Sequence, residues 1–266
     1  MAVRTMDLRG GPLVVDDPGP GGVPLVWAHG LTSSRRHEDA MDLFGWSRTG
    51  GMRVIRYDAR GHGDSPGTKD ADDYTWPVLA EDLLELMDGL GLGHSAVGGA
   101  SMGCATALYA TVAAPARIDR LVLVIPPTAW ETRSAQREAY LQAAQLVEDR
   151  GPAAMAEQLR QQPPVGAFGA DGERRRDEGL QRFGELDGLQ LATILRGAAA
   201  SDLPPVDVLA QIRQPALVLA WSGDGGHPTS TAERLAEVIP GAELHVAEDL
   251  ESITRWPALV RDFVTA

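Results

Sequence analysis

The sequence is organised around residues 96–110, which read AVGGASMGCATALYA. The segment predicts a short apolar strand, a G-x-S-x-G turn centred on Ser101, and then a helix rich in Ala and Leu. Gly99 and Gly103 have no Cβ and leave room for a tight, strained backbone at the serine. The Ser101 hydroxyl would then stand at the positive end of the following helix, where developing negative charge is stabilised. This pattern indicates a serine nucleophile.

A second G-x-S-x-G match lies at residues 63–67 and centres on Ser65. It falls in a polar loop rich in Gly and Pro, and Pro66 occupies the position where a flexible turn into a helix is needed. We therefore interpret Ser65 as an ordinary loop residue and Ser101 as the functional serine.

Composition and charge restrict the class of protein. A chain of 266 residues suits one large α/β domain or a domain with an insertion. A net charge of −13 argues against nucleic acid or an anionic membrane as a partner and leaves a small molecule as the expected one. The single cysteine, Cys104, excludes an internal disulfide and is interpreted as a packing residue. The first residues show no signal pattern, so we expect a cytoplasmic protein.

Apolar runs alternate with segments of helical periodicity over most of the chain, which implies a parallel sheet covered on both faces. After an antiparallel pair over residues 3–16, strands are predicted at 24–28, 52–57, 96–100, 121–125, 216–221 and 242–247. Helices are predicted at 36–48, 76–90, 229–238 and 256–264. Only helical segments are predicted between residues 127 and 214. We therefore divide the chain into a core (1–126), a helical cap (127–214) and the second part of the core (215–266).

The predicted cap carries apolar residues that are candidates for a pocket above Ser101. Most of them are expected to pack helix against helix, and the sequence gives no basis for choosing those that face a ligand. They are Trp130, Tyr140, Leu146, Met155, Phe168, Phe183, Leu191 and Ile194.

Three features together resemble the α/β-hydrolase superfamily. They are the strand, turn and helix around Ser101, the His29-Gly30 pair after an apolar strand, and residues 58–65, which read DARGHGDS. The chain is similar to small bacterial esterases and enol-lactonases with a helical lid. The resemblance implies an eight-stranded, mostly parallel sheet with the active site at the carboxyl ends of its strands.

The resemblance also implies roles for individual residues. Ser101 matches the nucleophile, and the backbone N–H groups of Leu31 and Met102 match the oxyanion hole. Asp224, four residues before Pro228, matches the acid of the catalytic triad. No cofactor and no metal ion are expected.

The sequence departs from the family where the general base is expected. In the family a histidine follows the last strand, six or seven residues before a proline. Counting back from Pro257 leads to Asp249-Leu250-Glu251, and residues 247–266 contain no histidine. A serine at its free pKa is a poor nucleophile and needs a base to take its proton.

His227 is the leading candidate for a relocated base. It lies three residues after Asp224, and Gly225 and Gly226 between them would allow the loop to fold back towards Ser101. A carboxylate is the alternative, because burial raises a carboxyl pKa towards the range of a base; the candidates are Glu248, Asp249 and Glu251. The remaining histidines are interpreted as loop, sheet or surface residues: His29, His37, His62, His94 and His245.

The sequence predicts a serine hydrolase that cleaves a carboxylic ester, lactone or thioester of a small, mostly apolar molecule. Ser101 would form the acyl-enzyme, with His227 as base and Asp224 as acid. Two alternatives follow from the missing base after the last strand. One is a ligand-binding protein of this fold, as in the gibberellin receptors; the other is a non-hydrolytic lyase or cyclase. The oligomeric state is left open.

Overall fold

A mixed β-sheet forms the centre of the fold. The computed structural model describes residues 2–42, 45 and 50–266, and in these residues eight strands pair in the order β1-β2-β4-β3-β5-β6-β7-β8. Strand β2 pairs antiparallel with β1 and β4, and every other pairing is parallel. The strands are β1 (Ala2–Leu8), β2 (Gly11–Asp17), β3 (Val23–Ala28), β4 (Met52–Asp58), β5 (Ser95–Ala100), β6 (Ile118–Val124), β7 (Ala216–Trp221) and β8 (Glu243–Ala247). The predicted eight-stranded, mostly parallel sheet is confirmed.

Helices cover both faces of this sheet. They are α1 (Arg35–Met41), α2 (Trp76–Gly89), α3 (Met102–Ala113), α9 (Thr229–Val238), α10 (Leu250–Thr254) and α11 (Trp256–Thr265). Successive strand residues point to opposite faces, so Val26 joins the core under α2 and α3 while Leu25 and Trp27 join the core under α11. This two-sided burial explains why the central strands read as continuous apolar runs.

The helix predicted over 36–48 is shorter in the structure. It ends at Met41, because Asp42 adopts a left-handed conformation with φ 44° that closes the helix. Residues 43, 44 and 46–48 of that prediction lie outside the described residues.

Between β6 and β7 the structure contains helices and no strand in the described residues. They are α4 (Arg133–Arg150), α5 (Pro152–Arg160), α6 (Gly172–Gln181), α7 (Gly188–Ala199) and α8 (Val206–Leu209). Helix α4 packs on α5 and α7, and a separate apolar cluster, which includes Val147, Phe183 and Leu195, joins α4, α5, α6 and α7. The assignment of residues 127–214 as a cap unit stays a prediction. None of the described helices is both long and apolar enough to cross a membrane.

The parallel register brings the candidate residues to one edge of the sheet. Ala28, Gly99 and Leu123 are neighbours across β3, β5 and β6, and Val124 pairs with Leu219 of β7. The loops that follow these strands therefore meet at the carboxyl edge, where ligands bind in sheets of this type.

Candidate active site

Ser101 lies in the turn between β5 and α3 with strained backbone geometry. Its φ of 54° and ψ of −111° place a non-glycine residue in a region that L-amino acids rarely adopt. A Cβ added at Gly99 would lie 2.5 Å from the carbonyl oxygen of Ala28, and one added at Gly103 would collide with the same oxygen. The two glycines therefore allow the close approach of backbones that the sequence predicted.

His227 lies between Ser101 and Asp224. Its Nε2 atom is 2.8 Å from Ser101 Oγ, and its Nδ1 atom is 2.8 Å from Asp224 Oδ2. An ionised carboxylate only accepts hydrogen bonds, so Nδ1 carries the ring proton and Nε2 accepts from the Ser101 hydroxyl. The structure thus brings together the serine, the acid and the histidine that sequence reasoning selected.

Asp224 is held by three donors. Besides His227, the indole Nε1–H of Trp221 donates to Oδ2 at 2.9 Å and the backbone N–H of Gly226 donates to Oδ1 at 2.9 Å. Burial pushes the pKa of Asp224 upwards, but attraction to His227 and these hydrogen bonds outweigh burial and hold the pKa well below its ordinary value. Asp224 is therefore ionised at neutral pH.

Trp221 is a site residue that the sequence reasoning missed. It ends β7, stacks on Trp256 with ring centroids 5.8 Å apart, and meets the His227 ring edge-on at 6.5 Å. A tryptophan directly before the loop that carries the acid was the only signal in the sequence for this contact.

His29 orients the loop that precedes α1. Its Nδ1 atom is 2.8 Å from the Gly30 carbonyl oxygen, and its Nε2 accepts from the backbone N–H of Ala59 at 3.0 Å. Burial, together with His62, lowers the pKa of His29 to about 4, so the ring is neutral and donates through Nδ1. Because the Gly30 carbonyl belongs to the same peptide as the Leu31 N–H, His29 fixes the direction of that N–H.

The two predicted oxyanion donors lie beside Ser101. A Cβ added at Gly30 would lie 3.7 Å from Ser101 Cβ, and Met102 is the first residue of α3. Within the described part of the chain, no group accepts a hydrogen bond from the backbone N–H of Leu31 or Met102. Both N–H groups are therefore available to an oxygen of a bound molecule. The carbonyl oxygen of Leu31 is 2.6 Å from Nε2 of His62.

The carboxylates after β8 are placed differently. Glu248, Asp249 and Glu251 are exposed and do not line the cavity that contains Ser101. Asp249 Oδ1 accepts from the backbone N–H of Ser252 at 2.8 Å and caps α10, and Glu251 pairs with Arg255. None of the three is positioned to act on Ser101.

Ser65 and two of the remaining histidines lie away from the site. Ser65 is buried in a loop contact, where its hydroxyl accepts from Val14 N–H at 2.8 Å and donates to the Asp58 carbonyl at 2.6 Å. His94 pairs with Asp119 at the surface, and His245 is exposed on β8. These positions agree with the structural roles predicted for them.

His37 is a correction to the sequence reasoning, which placed it on a polar surface without a role. In the structure it is half-buried and lines the same cavity as Ser101. Its Nδ1 atom is 2.9 Å from Ser33 Oγ, and its Nε2 atom is 3.1 Å from Arg182 Nη1. The orientation of the His37 side chain depends on its contact with Arg182, which is 145 residues away in the chain and which the local sequence does not reveal.

Ser101 and His227 line a cavity, which we call the catalytic cavity. It has a volume of about 730 Å³ and lies between the carboxyl edge of the sheet and helices α4 and α5. Of the eight predicted pocket residues, Tyr140 and Met155 line it and the other six do not. Leu159, Ile125 and Leu195 complete much of its apolar wall. In the described residues, no group of three His, Cys, Asp or Glu side chains is arranged to hold a metal ion.

Comparison with known proteins agrees with this architecture. The family model of the α/β-hydrolase fold matches residues 23–251. The chain belongs to the α/β-hydrolase fold family. It is 30% identical over 203 residues to the putative carbamate hydrolase RutD of Caulobacter sp. (strain K31). That match covers 74% of this chain and 72% of RutD.

Two further relatives show a shared sequence segment and the shared fold. The chain is 34% identical over 124 residues to the sn-1-specific diacylglycerol lipase ABHD11 of Mus musculus, a match that covers 47% of this chain and only 39% of the lipase. The crystal structure of the enol-lactonase from Burkholderia xenovorans LB400 superimposes with a TM-score of 0.82 at 23% identity and covers 99% of this chain and 100% of that one. That structure shows the same fold.

Proposed function

We propose that the protein is a serine hydrolase that cleaves a carboxylic ester, lactone or thioester of a small molecule through an acyl-enzyme on Ser101. The observation that carries this proposal is the chain of hydrogen bonds from Ser101 through His227 to Asp224, with both ring contacts at 2.8 Å. It lies at one side of a cavity of about 730 Å³.

The first half of the reaction forms the acyl-enzyme. As Ser101 Oγ attacks the carbonyl carbon, His227 Nε2 takes its proton, and the ionised Asp224 stabilises the resulting imidazolium. His227 then gives that proton to the leaving oxygen or sulfur as the bond to the acyl carbon breaks. In the second half, a water molecule replaces the serine as nucleophile and His227 repeats the same transfers, which releases the acid and restores the Ser101 hydroxyl.

The oxyanion of each tetrahedral intermediate would accept hydrogen bonds from the N–H groups of Leu31 and Met102. Their direction is fixed before a substrate binds, by His29 on one side and by the start of α3 on the other. Loss of one such donor costs about 3 kcal/mol of barrier.

The names of the relatives and the cavity wall support acyl hydrolysis of a small substrate. A carbamate hydrolase, a lipase and an enol-lactonase all act at an acyl carbon, and the wall contributed by Tyr140, Met155 and Leu195 suits an apolar group. The alternatives of a binding protein or a lyase were motivated by the missing base after β8. The distance of 2.8 Å between His227 Nε2 and Ser101 Oγ favours hydrolysis over both alternatives.

The test combines turnover with trapping of the intermediate. Aryl acetates and butyrates, an aryl carbamate and a thioester are supplied to the wild type, Ser101→Ala and Ser65→Ala, and the Ser101 peptide is weighed by mass spectrometry. The proposal predicts burst release and an acyl group on Ser101, with fluorophosphonate labelling lost only in Ser101→Ala. Full labelling of Ser101→Ala would overturn it, and tight ligand binding without turnover would favour the binding protein.

A further inference from the structure

Arg182, which follows α6 in the predicted cap, reaches down to the loop beside the active site. Its guanidinium donates to the Thr32 carbonyl oxygen at 2.5 Å through Nε and to the Thr32 hydroxyl at 2.7 Å through Nη2. Nη1 donates to His37 Nε2 at 3.1 Å. Arginine has five N–H donors in a rigid fork, so one side chain fixes all three acceptors relative to one another.

The acceptors lie in and just after the turn that carries Leu31. Thr32 is the next residue in the chain. Because Arg182 donates to His37 Nε2, His37 Nδ1 carries the ring proton and donates to Ser33 Oγ at 2.9 Å. The Ser33 N–H closes the turn by donating to the Gly30 carbonyl at 3.0 Å. Arg182 thus contacts residues 30–33, which we call the oxyanion loop, directly and through His37.

These hydrogen bonds are the main contacts of the guanidinium. Among the described residues it hydrogen-bonds to Thr32 and His37, and it also lies over the Phe183 ring, 4.8 Å from the ring centroid. Burial lowers the pKa of Arg182 to about 10, which leaves it charged at neutral pH. A partly buried cation loses part of its hydration, so its hydrogen bonds to Thr32 and His37 favour the present position of the oxyanion loop.

Arg182 is not part of the catalytic cavity. It lines a second groove of about 1030 Å³ on the other side of the oxyanion loop, together with Glu148, Glu178 and Asp187. Thr32 and His37 line both cavities and separate them. Arg182 therefore reaches the catalytic cavity through the residues it contacts, Thr32 and His37.

We propose that Arg182 is a positioning residue that holds the oxyanion loop in its active conformation and makes that conformation depend on the docked cap. The inference rests on the proposed function, because the direction of the Leu31 N–H matters only if it binds an oxyanion. Arg182 belongs to the predicted cap and would affect stabilisation of the transition state by positioning the loop, without touching the substrate.

The first experiment measures kcat and KM for an aryl acetate with Arg182→Met, Arg182→Lys and the control Arg174→Met. Arg174 is exposed on α6 and pairs with Asp171 and Glu178, so its variant is expected to behave as wild type. Arg182→Met should lower kcat about 10- to 100-fold because the oxyanion donor is displaced, with KM changed less than about threefold. Arg182→Lys should recover part of the loss, since an ammonium cannot satisfy all three acceptors.

The small acetate separates positioning from simple cap anchoring. A residue that only anchors the cap would change KM for butyrate and larger esters and leave acetate turnover within about twofold of wild type. That result would overturn the proposal. A double-mutant cycle with Thr32→Val, which removes the hydroxyl acceptor, should be non-additive, because the two side chains form one contact.

Hydrogen exchange measures how well the oxyanion loop is ordered, and it does not depend on turnover. Backbone amides of residues 30–33 should exchange faster in Arg182→Met than in wild type, and at the wild-type rate in Arg174→Met. If wild type turns over no ester, the proposed function fails while exchange still reports the loop. If wild type is active but the variants change neither kcat nor exchange, the positioning role fails alone. If Arg182→Met does not fold, kcat, KM and amide exchange are measured on Arg182→Lys and Thr32→Val instead.

Discussion

Two neighbouring loops at the carboxyl edge of the sheet differ in almost every property that catalysis needs. Loop 222–228 follows β7, is partly buried, and presents Asp224 and His227 to the catalytic cavity. Residues 248–251 follow β8, are mostly exposed, and use Asp249 to cap α10. Strands β7 and β8 are parallel and paired up to Trp221 and Ala247, so the two loops start side by side.

Under the proposed function, the difference means that the position of the general base depends on geometry more than on its place in the chain. A general base on Ser101 must place Nε2 at the hydroxyl and Nδ1 at an acid, and a loop from either strand can do so. Here both partners come from one loop, three residues apart, while the chain order of serine, acid and histidine is kept.

The largest effect is expected from His227→Ala. Loss of a triad member lowers kcat by about 10⁴-fold or more, because no other group takes the serine proton. The combined variant Glu248→Gln, Asp249→Asn and Glu251→Gln should keep wild-type kcat for the same aryl ester. If kcat fell by a similar factor in the triple variant while His227→Ala stayed active, the general base would lie in the loop after β8.

A smaller loss is expected from Trp221→Phe. The change keeps an aromatic ring against Trp256 but removes the N–H that donates to Asp224, so the carboxylate and His227 lose part of their orientation. Since a hydrogen bond to a charged group contributes roughly 1.5–3 kcal/mol, we expect kcat to fall about tenfold or somewhat more. Trp130→Phe is the matched control, because it removes an indole N–H that donates only to Pro204. Equal kcat values for the two variants would contradict the account.

The third prediction concerns stability against acid. A carboxyl whose pKa is depressed on folding adds stability above its ordinary pKa, and this stability is lost as the pH falls through the folded-state pKa. Wild type should therefore exceed Asp224→Asn by about 2 kcal/mol in free energy of unfolding at pH 6, with the gap narrowing below about pH 4. Denaturant unfolding at several pH values measures it, and a gap that widens towards low pH would be contrary to the depressed pKa.

The smallest effect is expected in the loop after β8. Asp249→Ala removes the cap of α10 and should lower the melting temperature by about 3 °C or less. Turnover should be unchanged, since the side chain contacts only the start of that helix. If kcat fell by more than the fraction of folded protein falls, the loop after β8 would take part in catalysis, contrary to the structure.

Local signals predict the fold and Ser101, whereas Asp224 was matched through the family resemblance and His227 was selected because it lies three residues after Asp224. Gly99 and Gly103 are required by the turn itself, and Gly225 and Gly226 lie in the loop that returns His227 towards Ser101. The contacts of His37, Arg182 and Trp221 could not be predicted in the same way. Arg182 meets Thr32 across 150 residues of chain, and the facing of α1 and of the cap helices is decided by packing between distant segments.

The most direct test of the central claim is the rate at which Ser101 is acylated in His227→Ala, with and without added imidazole. Stopped-flow release of the aryl group measures it before deacylation contributes. If His227 is the base, acylation should be slow and should rise with the concentration of neutral imidazole, because the free base enters the space vacated by the His227 ring and takes the proton from Ser101. Acylation of His227→Ala at the wild-type rate, without imidazole, would contradict it.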